Sequence, residues 1–194
     1  MNEADALVVV KRALKPQRFS HTERVVETAT QLADKYGGDK DVIRLAAILH
    51  DYAKHRPLEE MKNSVQANGT IPDDVLLYGD ELLHAFVGAH YVKEELGVKD
   101  EAVLSAICWH TTGRENMTIE DKIVFLADFI EPGRTFEAAE KVRITAAQDL
   151  DKACLECLIH TICYLTNKGV PVYPETFKAY NDFALKISSM EGER

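Results

Sequence analysis

Apolar residues recur along almost the whole chain at helical spacing, and no segment alternates convincingly with period two. Val25, Ala29, Leu32 and Tyr36 form one stripe, with His21 on the same face four residues before Val25. Ser20 and Glu23 read as a capping box opening that helix, and Gly37-Gly38 stops it. A second helix is predicted over about 41–52, with Val42, Leu45, Ala46, Leu49 and Ala53 inward; Arg56-Pro57 ends it. Leu58, Met61 and Val65 mark a shorter helix closed at Asn68-Gly69, and Pro72-Asp73-Asp74 begins another. Longer helices follow over about 80–95, closed by Gly97, over 100–109, and over 122–130 behind a Thr118/Asp121 capping box. Helices over 136–147 and 149–168, and one from Pro174 to about 189, complete the series, with an N-terminal helix carrying Leu7, Val8 and Val10. No linker or low-complexity stretch interrupts them, so the expected fold is a single all-α domain, a helical bundle, over residues 1–194.

Composition narrows the functional classes. Acidic side chains outnumber basic ones 32 to 23, a net charge of -9, which disfavours binding to a nucleic-acid backbone. The longest apolar runs, such as Ile123-Val124-Phe125-Leu126-Ala127, fall far short of the ~20 residues that span a bilayer, so no membrane partner is expected. The opening Met1-Asn2-Glu3-Ala4-Asp5-Ala6 lacks the features of a secretory signal, and a cytoplasmic location is expected. Cys108, Cys154, Cys157 and Cys163 are then expected as thiols; Cys154 and Cys157 have the spacing of half a zinc site that no second pair completes.

Two aspartates stand where water is scarce. Asp51 follows Ala46-Ala47-Ile48-Leu49 and His50, and Asp128 interrupts Val124-Phe125-Leu126-Ala127 and Phe129-Ile130. A carboxylate ionised and alone in such surroundings costs several kcal/mol, so a basic side chain or a cation must face it. Arg134 and Lys122 are the nearest basic candidates for Asp128. His21, His84 and His110 fall on inward faces of three further helices, whereas His90 points elsewhere and His55 and His160 are expected in solvent. Imidazoles and carboxylates converging from separate helices are the usual way a bundle holds metal. Nitrogen and oxygen donors without thiolate suit iron, manganese, nickel, cobalt or zinc. Six candidates, His21, His50, Asp51, His84, His110 and Asp128, exceed the needs of one ion with an open position, and Asp51 is placed to bridge two.

The ordered set His21, His50-Asp51, His84, His110, Asp128 resembles the HD-domain metallophosphohydrolases, whose ligands run H…HD…H…H…D on an all-helical fold. His50-Asp51-Tyr52-Ala53-Lys54 matches the HD-x-x-K subtype associated with two metals. The acidic pair of the guanosine tetraphosphate hydrolases and the Gly-Tyr-Pro of the cyclic-di-nucleotide phosphodiesterases are absent. Over about residues 15–185, with segments such as Trp109-His110-Thr111-Thr112-Gly113 and Ala127-Asp128-Phe129-Ile130-Glu131-Pro132-Gly133-Arg134, the chain is similar to the bacterial symmetrical diadenosine tetraphosphate hydrolases of this superfamily. The resemblance implies an iron-dependent enzyme that cleaves the dinucleotide at its centre to two ADP. Its metal-binding core is expected over about 18–135, and helices over 136–190 complete a nucleotide pocket.

Site roles follow as expectations. Asp51 and Lys54 are the catalytic candidates, with Lys54 one helical turn beyond His50. Lys54 and Arg134 are expected to clamp phosphate, and Thr111, in the polar Thr111-Thr112-Gly113 loop, to donate to it. His21, Asp51, His84, His110 and Asp128 face the substrate as well as the metal, with His84 and His110 open to a second ion or to phosphate. The extended stretch Val172-Tyr173-Pro174, with Thr176 behind it, is expected to cover a nucleobase. A dinucleoside polyphosphate or ADP-like nucleotide is the expected partner, and a homodimer is left open. Two alternatives stand: a phosphatase or pyrophosphatase of other nucleotides on the same metals, and a non-catalytic nucleotide sensor, which would be expected to have lost ligands.

Overall fold

The computed structural model describes residues 1–192, with side-chain surroundings through Ser189. Among these it has ten α-helices, two short 3-10 turns (Asp73–Leu77 and Asp80–Leu82) and no strand. The helices are α1 (Glu3–Ala13), α2 (Pro16–Tyr36), α3 (Lys40–Leu49), α4 (Leu58–Ala67), α5 (Leu83–Leu96), α6 (Glu101–Trp109), α7 (Ile119–Ile130), α8 (Glu137–Ala146), α9 (Leu150–Asn167) and α10 (Pro174–Gly192). Short polar side chains start several of them: Asp39, Asp100 and Asp149 accept backbone N–H groups of α3, α6 and α9. Thr118 and Asp121 form the expected capping box on α7. α2 departs from expectation. It begins at Pro16, a turn before Ser20, because a proline at the first position has its φ preset for a helix and its missing N–H costs nothing there. Ser20 and Glu23 are therefore exposed positions inside α2 rather than its cap. Likewise α3 stops at Leu49, and 50–56 run as tight turns closed by Tyr52 N–H to Leu49 O and Lys54 N–H to Asp51 O bonds.

Two apolar clusters make the core. One joins α1, α3, α5 and α6 through residues such as Val10, Ile48, Leu83 and Ile107. The other joins α2, α7, α8, α9 and α10 through Val25, Ile123, Leu126, Cys154, Leu158 and Phe183. α2 packs on α3 and α7, and α6 on α3, α5 and α7. Histidines and aspartates from these five helices or the turns just beyond them therefore meet where the two clusters adjoin.

Asp121 fixes the α6–α7 contact. Only 1% exposed, it accepts from Thr118 N (3.1 Å) and from Ser105 Oγ of α6 (2.8 Å), and pairs with Arg114 Nη2 at 2.8 Å. Removing the carboxylate strands these donors. Asp121→Ala is expected to lower the unfolding free energy by about 2–4 kcal/mol in urea denaturation; a loss below about 0.5 kcal/mol, the range of an ordinary surface change, contradicts the role.

Candidate metal centre

His50 and His110 occupy the same structural place. Each is the first residue beyond a helix, α3 or α6, and each turns its Nδ1 back onto a carbonyl three residues earlier: Ala47 O at 2.8 Å and Ile107 O at 2.7 Å. His84, in the first turn of α5, does likewise with Glu81 O at 2.6 Å. His21 Nδ1 meets Glu131 Oε1 at 3.0 Å. A carbonyl and an ionised carboxylate only accept, so in all four rings Nδ1 carries the hydrogen and Nε2 keeps a lone pair.

Those lone pairs converge. His84 Nε2 lies 3.2 Å from His110 Nε2, His50 Nε2 3.0 Å from Asp51 Oδ2, and His21 Nε2 2.9 Å from Asp128 Oδ1. The two oxygens of Asp51 face different rings: Oδ2 lies toward His50 and His21, while Oδ1 is 3.3 Å from His84 Nε2. Donor atoms of His21, His50 and Asp51, of His50, His110 and Asp128, and of Asp51, His84 and His110 make three overlapping groups, each within 4.8 Å. The buried atoms His21 Nε2, His50 Nε2 and Asp51 Oδ1 make no hydrogen bond. Their short separations are thus approaches of acceptor to acceptor, which need a cation between them. Imidazole and carboxylate donors with no sulfur fit a divalent metal of borderline or hard character.

Ionisation follows the geometry. Burial and the neighbouring His50 and His84 push His110 down to about 3, so its ring is neutral. Burial alone would raise Asp51 and Asp128, but the imidazoles outweigh it and hold both well below the usual carboxylate range: His50 and His84 act on Asp51, and His21 leads on Asp128. His50, fully buried, is nevertheless raised because Asp51 favours its charged form.

Arginines complete the charge balance. Arg134 Nη2 donates to Asp128 Oδ1 at 2.8 Å and its Nε to Asp128 O, which realises the basic partner expected for Asp128; Lys122 pairs instead with Asp151. Arg18, which the sequence pattern did not single out, contacts Asp51 Oδ2 and lies 4.0 Å from Asp128 Oδ1. Its position three residues before His21, hence on the same helix face, was the available signal. Both guanidinium groups bond to the aspartates and neither reaches the His84 lone pair facing Asp51 Oδ1, so the need for a cation persists. Glu131 was also missed as a support. It accepts from His21, from Arg24 Nε at 2.5 Å and from Gly133 N at 2.5 Å; a side chain at Gly133 would collide with Arg24. Burial opposes its ionisation, yet these donors bring its carboxyl down to about 2.

Lys54 Nζ sits 3.0 Å from Glu81 Oε2 and 3.4 Å from His84 Nδ1, at the edge of the cluster, and Thr111 Oγ1 is 3.2 Å from His110 Nε2. The segment 172–176 lies differently from expectation. The ring of Tyr173 is 5% exposed and packs edge-on against Tyr78 and Phe86, and Thr176 is 2% exposed, so neither side chain is free to cover a base. Val172 and Pro174 are half-buried. Tyr173's apolar body, rather than an exposed aromatic face, explains its place between two prolines.

Residues 18–133, which contain all six of these side chains, match the family described as the HD domain. The chain belongs to the HD-domain family. A symmetrical bis(5'-nucleosyl)-tetraphosphatase of Halalkalibacterium halodurans is 50% identical over 186 residues, covering 96% of this HD-domain chain and 99% of that protein. One of Bacillus subtilis is 44% identical, over 93% of this chain and 97% of its own. A crystal structure from Clostridium acetobutylicum, described as a predicted HD superfamily hydrolase involved in NAD metabolism, superposes with a TM-score of 0.90 at 34% identity, over 96% and 98% of the two chains. HD-domain proteins depend on divalent metal, and the donor set here fits that requirement.

Glu131 orients His21 without joining the cluster, so Glu131→Gln tests the second layer. Such partners typically govern metal affinity by ten- to a hundred-fold. Manganese binding measured by titration calorimetry is expected to weaken by about that factor, with helicity unchanged; unaltered affinity contradicts the role.

Proposed function

We propose that the protein is a metal-dependent phosphoanhydride hydrolase that cleaves diadenosine tetraphosphate at its centre, giving two ADP. The observation that carries the reading is the set of four imidazoles with protons fixed on Nδ1 and lone pairs aimed, with two carboxylates, into one buried space. The near full-length similarity to symmetrical tetraphosphatases selects the substrate. His21, His50, Asp51 and Asp128 would hold one cation, and Asp51 Oδ1 with His84 and His110 faces a second position or a phosphate. Iron is the ion we assign. A divalent cation at this place lowers the pKa of water and draws charge from the phosphoryl group under attack.

The chain's own cations manage the rest of the charge. Four phosphates approach a protein of net charge -9, so binding needs local positive groups. Lys54 fits: its partner Glu81 has a side chain 90% exposed, a pair worth ~0–1 kcal/mol, so exchanging it for a phosphate oxygen costs little. Arg134, 32% exposed, offers a planar fork next to Asp128, and Arg18 offers another next to Asp51. We assign the catalytic roles to Asp51, which would hold the cation that activates water, and to Lys54, which stabilises charge as the central bond breaks. The same reading locates the protein in the cytoplasm, whose reducing environment suits its four free cysteines. Among the described residues, no helix is long and apolar enough to cross a membrane.

Protein purified without oxygen is expected to contain iron and to convert diadenosine tetraphosphate to ADP alone on anion-exchange chromatography; AMP with ATP, or no reaction, refutes the reading. Asp51→Ala and Asp128→Ala are expected to lose metal and activity together while circular dichroism stays helical. Lys54→Ala is expected to keep its metal and lower kcat by about ten- to a thousand-fold, the range for a charge-stabilising donor. An unchanged rate would assign Lys54 to solvent.

A further inference from the structure

Beside the metal centre lies a groove of about 1160 Å³ that the catalytic reading leaves without a purpose. Asp128 and Arg134 form its inner end. Its floor is aromatic: Phe136 and His160 lie 5.9 Å apart at 21°, His160 and Tyr164 6.4 Å apart at 23°, and Phe129 meets Phe136 edge-on at 5.2 Å. Phe136 is 40% and Tyr164 49% exposed, so the two ends of this stack reach solvent. His160, expected in solvent from the sequence, is half-buried within this row.

We propose that this groove seats one of the two nucleosides of a dinucleoside polyphosphate, its base extending the stack of Phe136, His160 and Tyr164 at one of its open ends. The proposal rests on the hydrolase reading above and adds to it the site that distinguishes a dinucleotide from a mononucleotide. Three observations support it. Asp128 belongs both to the metal cluster and to the groove wall, so a phosphate chain crossing the cluster leads directly into the groove. Arg134 stands at that junction, partly exposed, where the phosphates would pass. Nearly parallel aromatic faces suit a nucleobase, which stacks through its π-face whatever its edge pattern. The volume slightly exceeds that of drug-sized pockets, roughly 300–1,000 Å³, which is room for a nucleoside with phosphate attached.

The test uses Phe136→Ala/Tyr164→Ala, both partly exposed positions whose truncation leaves the core intact. Diadenosine tetraphosphate and adenosine tetraphosphate, which has one nucleoside, are compared in the metal-loaded enzyme. The proposal predicts that the ratio of kcat/KM for the dinucleotide over the mononucleotide falls about tenfold or more, chiefly through KM, at unchanged metal content. An unchanged ratio overturns it. Calorimetric binding of ADP gives a second readout independent of turnover: two per chain in the wild type and one in the variant support the proposal, and equal stoichiometry overturns it. A dimer that becomes monomeric on substitution, with kinetics unchanged, assigns the groove to a second copy and also overturns it. Wild-type protein that makes no ADP from the dinucleotide refutes the activity, while the ADP stoichiometry still decides the groove.

Discussion

Lone pairs crowded on lone pairs repel, and the structure depends on how that repulsion is relieved. Two imidazole nitrogens 3.2 Å apart, neither carrying a proton, form no hydrogen bond. The arrangement persists because each ring is anchored through its other nitrogen, to the last-turn carbonyls of α3 and α6, to Glu81 O before α5, and to the carboxylate of Glu131. Helix ends present carbonyls with no partner inside the helix. Here that surplus of acceptors is used to set the tautomer of the histidines just beyond them, so the fold itself aims the donors.

The same logic explains the arginines. Arg18 and Arg134 cover parts of Asp51 and Asp128, two carboxylates at the meeting place of two apolar clusters. They reach the carboxylates from the rim, with side chains 21% and 32% exposed, which leaves the interior face of Asp51 to the imidazoles. An arginine at the rim beside a metal position is also where phosphate oxygens arrive. One pair of residues therefore balances charge before substrate binds and can exchange partners when it does.

Much of this was legible before any coordinates. Helical period gave the bundle, because its apolar stripes are long and its stops are marked by Gly97, Pro132-Gly133 and Pro174. The six clustered side chains were found because an ionisable group in a greasy run, as at Asp128, demands a proton, a basic partner or a cation, and because their order resembles the HD-domain pattern. What escaped depends on partners distant in sequence. Glu131 reads as a helix-end acid until His21, 110 positions away, is seen bonded to it. Arg18 reads as one more exposed cation, and the start of α2 was set by Pro16 against a plausible cap at Ser20. Tyr173 between two prolines resembles a surface aromatic, and only the packing of Tyr78 and Phe86 around it shows otherwise. The aromatic row of the groove joins residues from α7, α8's edge and α9, and helical spacing connects only His160 with Tyr164.

The most direct test of the account is the protonation of the four histidines. Long-range nitrogen–proton NMR of the metal-stripped and zinc-loaded protein resolves which ring nitrogen bears the hydrogen and which responds to metal. The account predicts Nδ1–H for His21, His50, His84 and His110 in the zinc form, with the Nε2 resonances of His21 and His50 moving on zinc addition. Protonated Nε2 atoms that zinc leaves unshifted would contradict it.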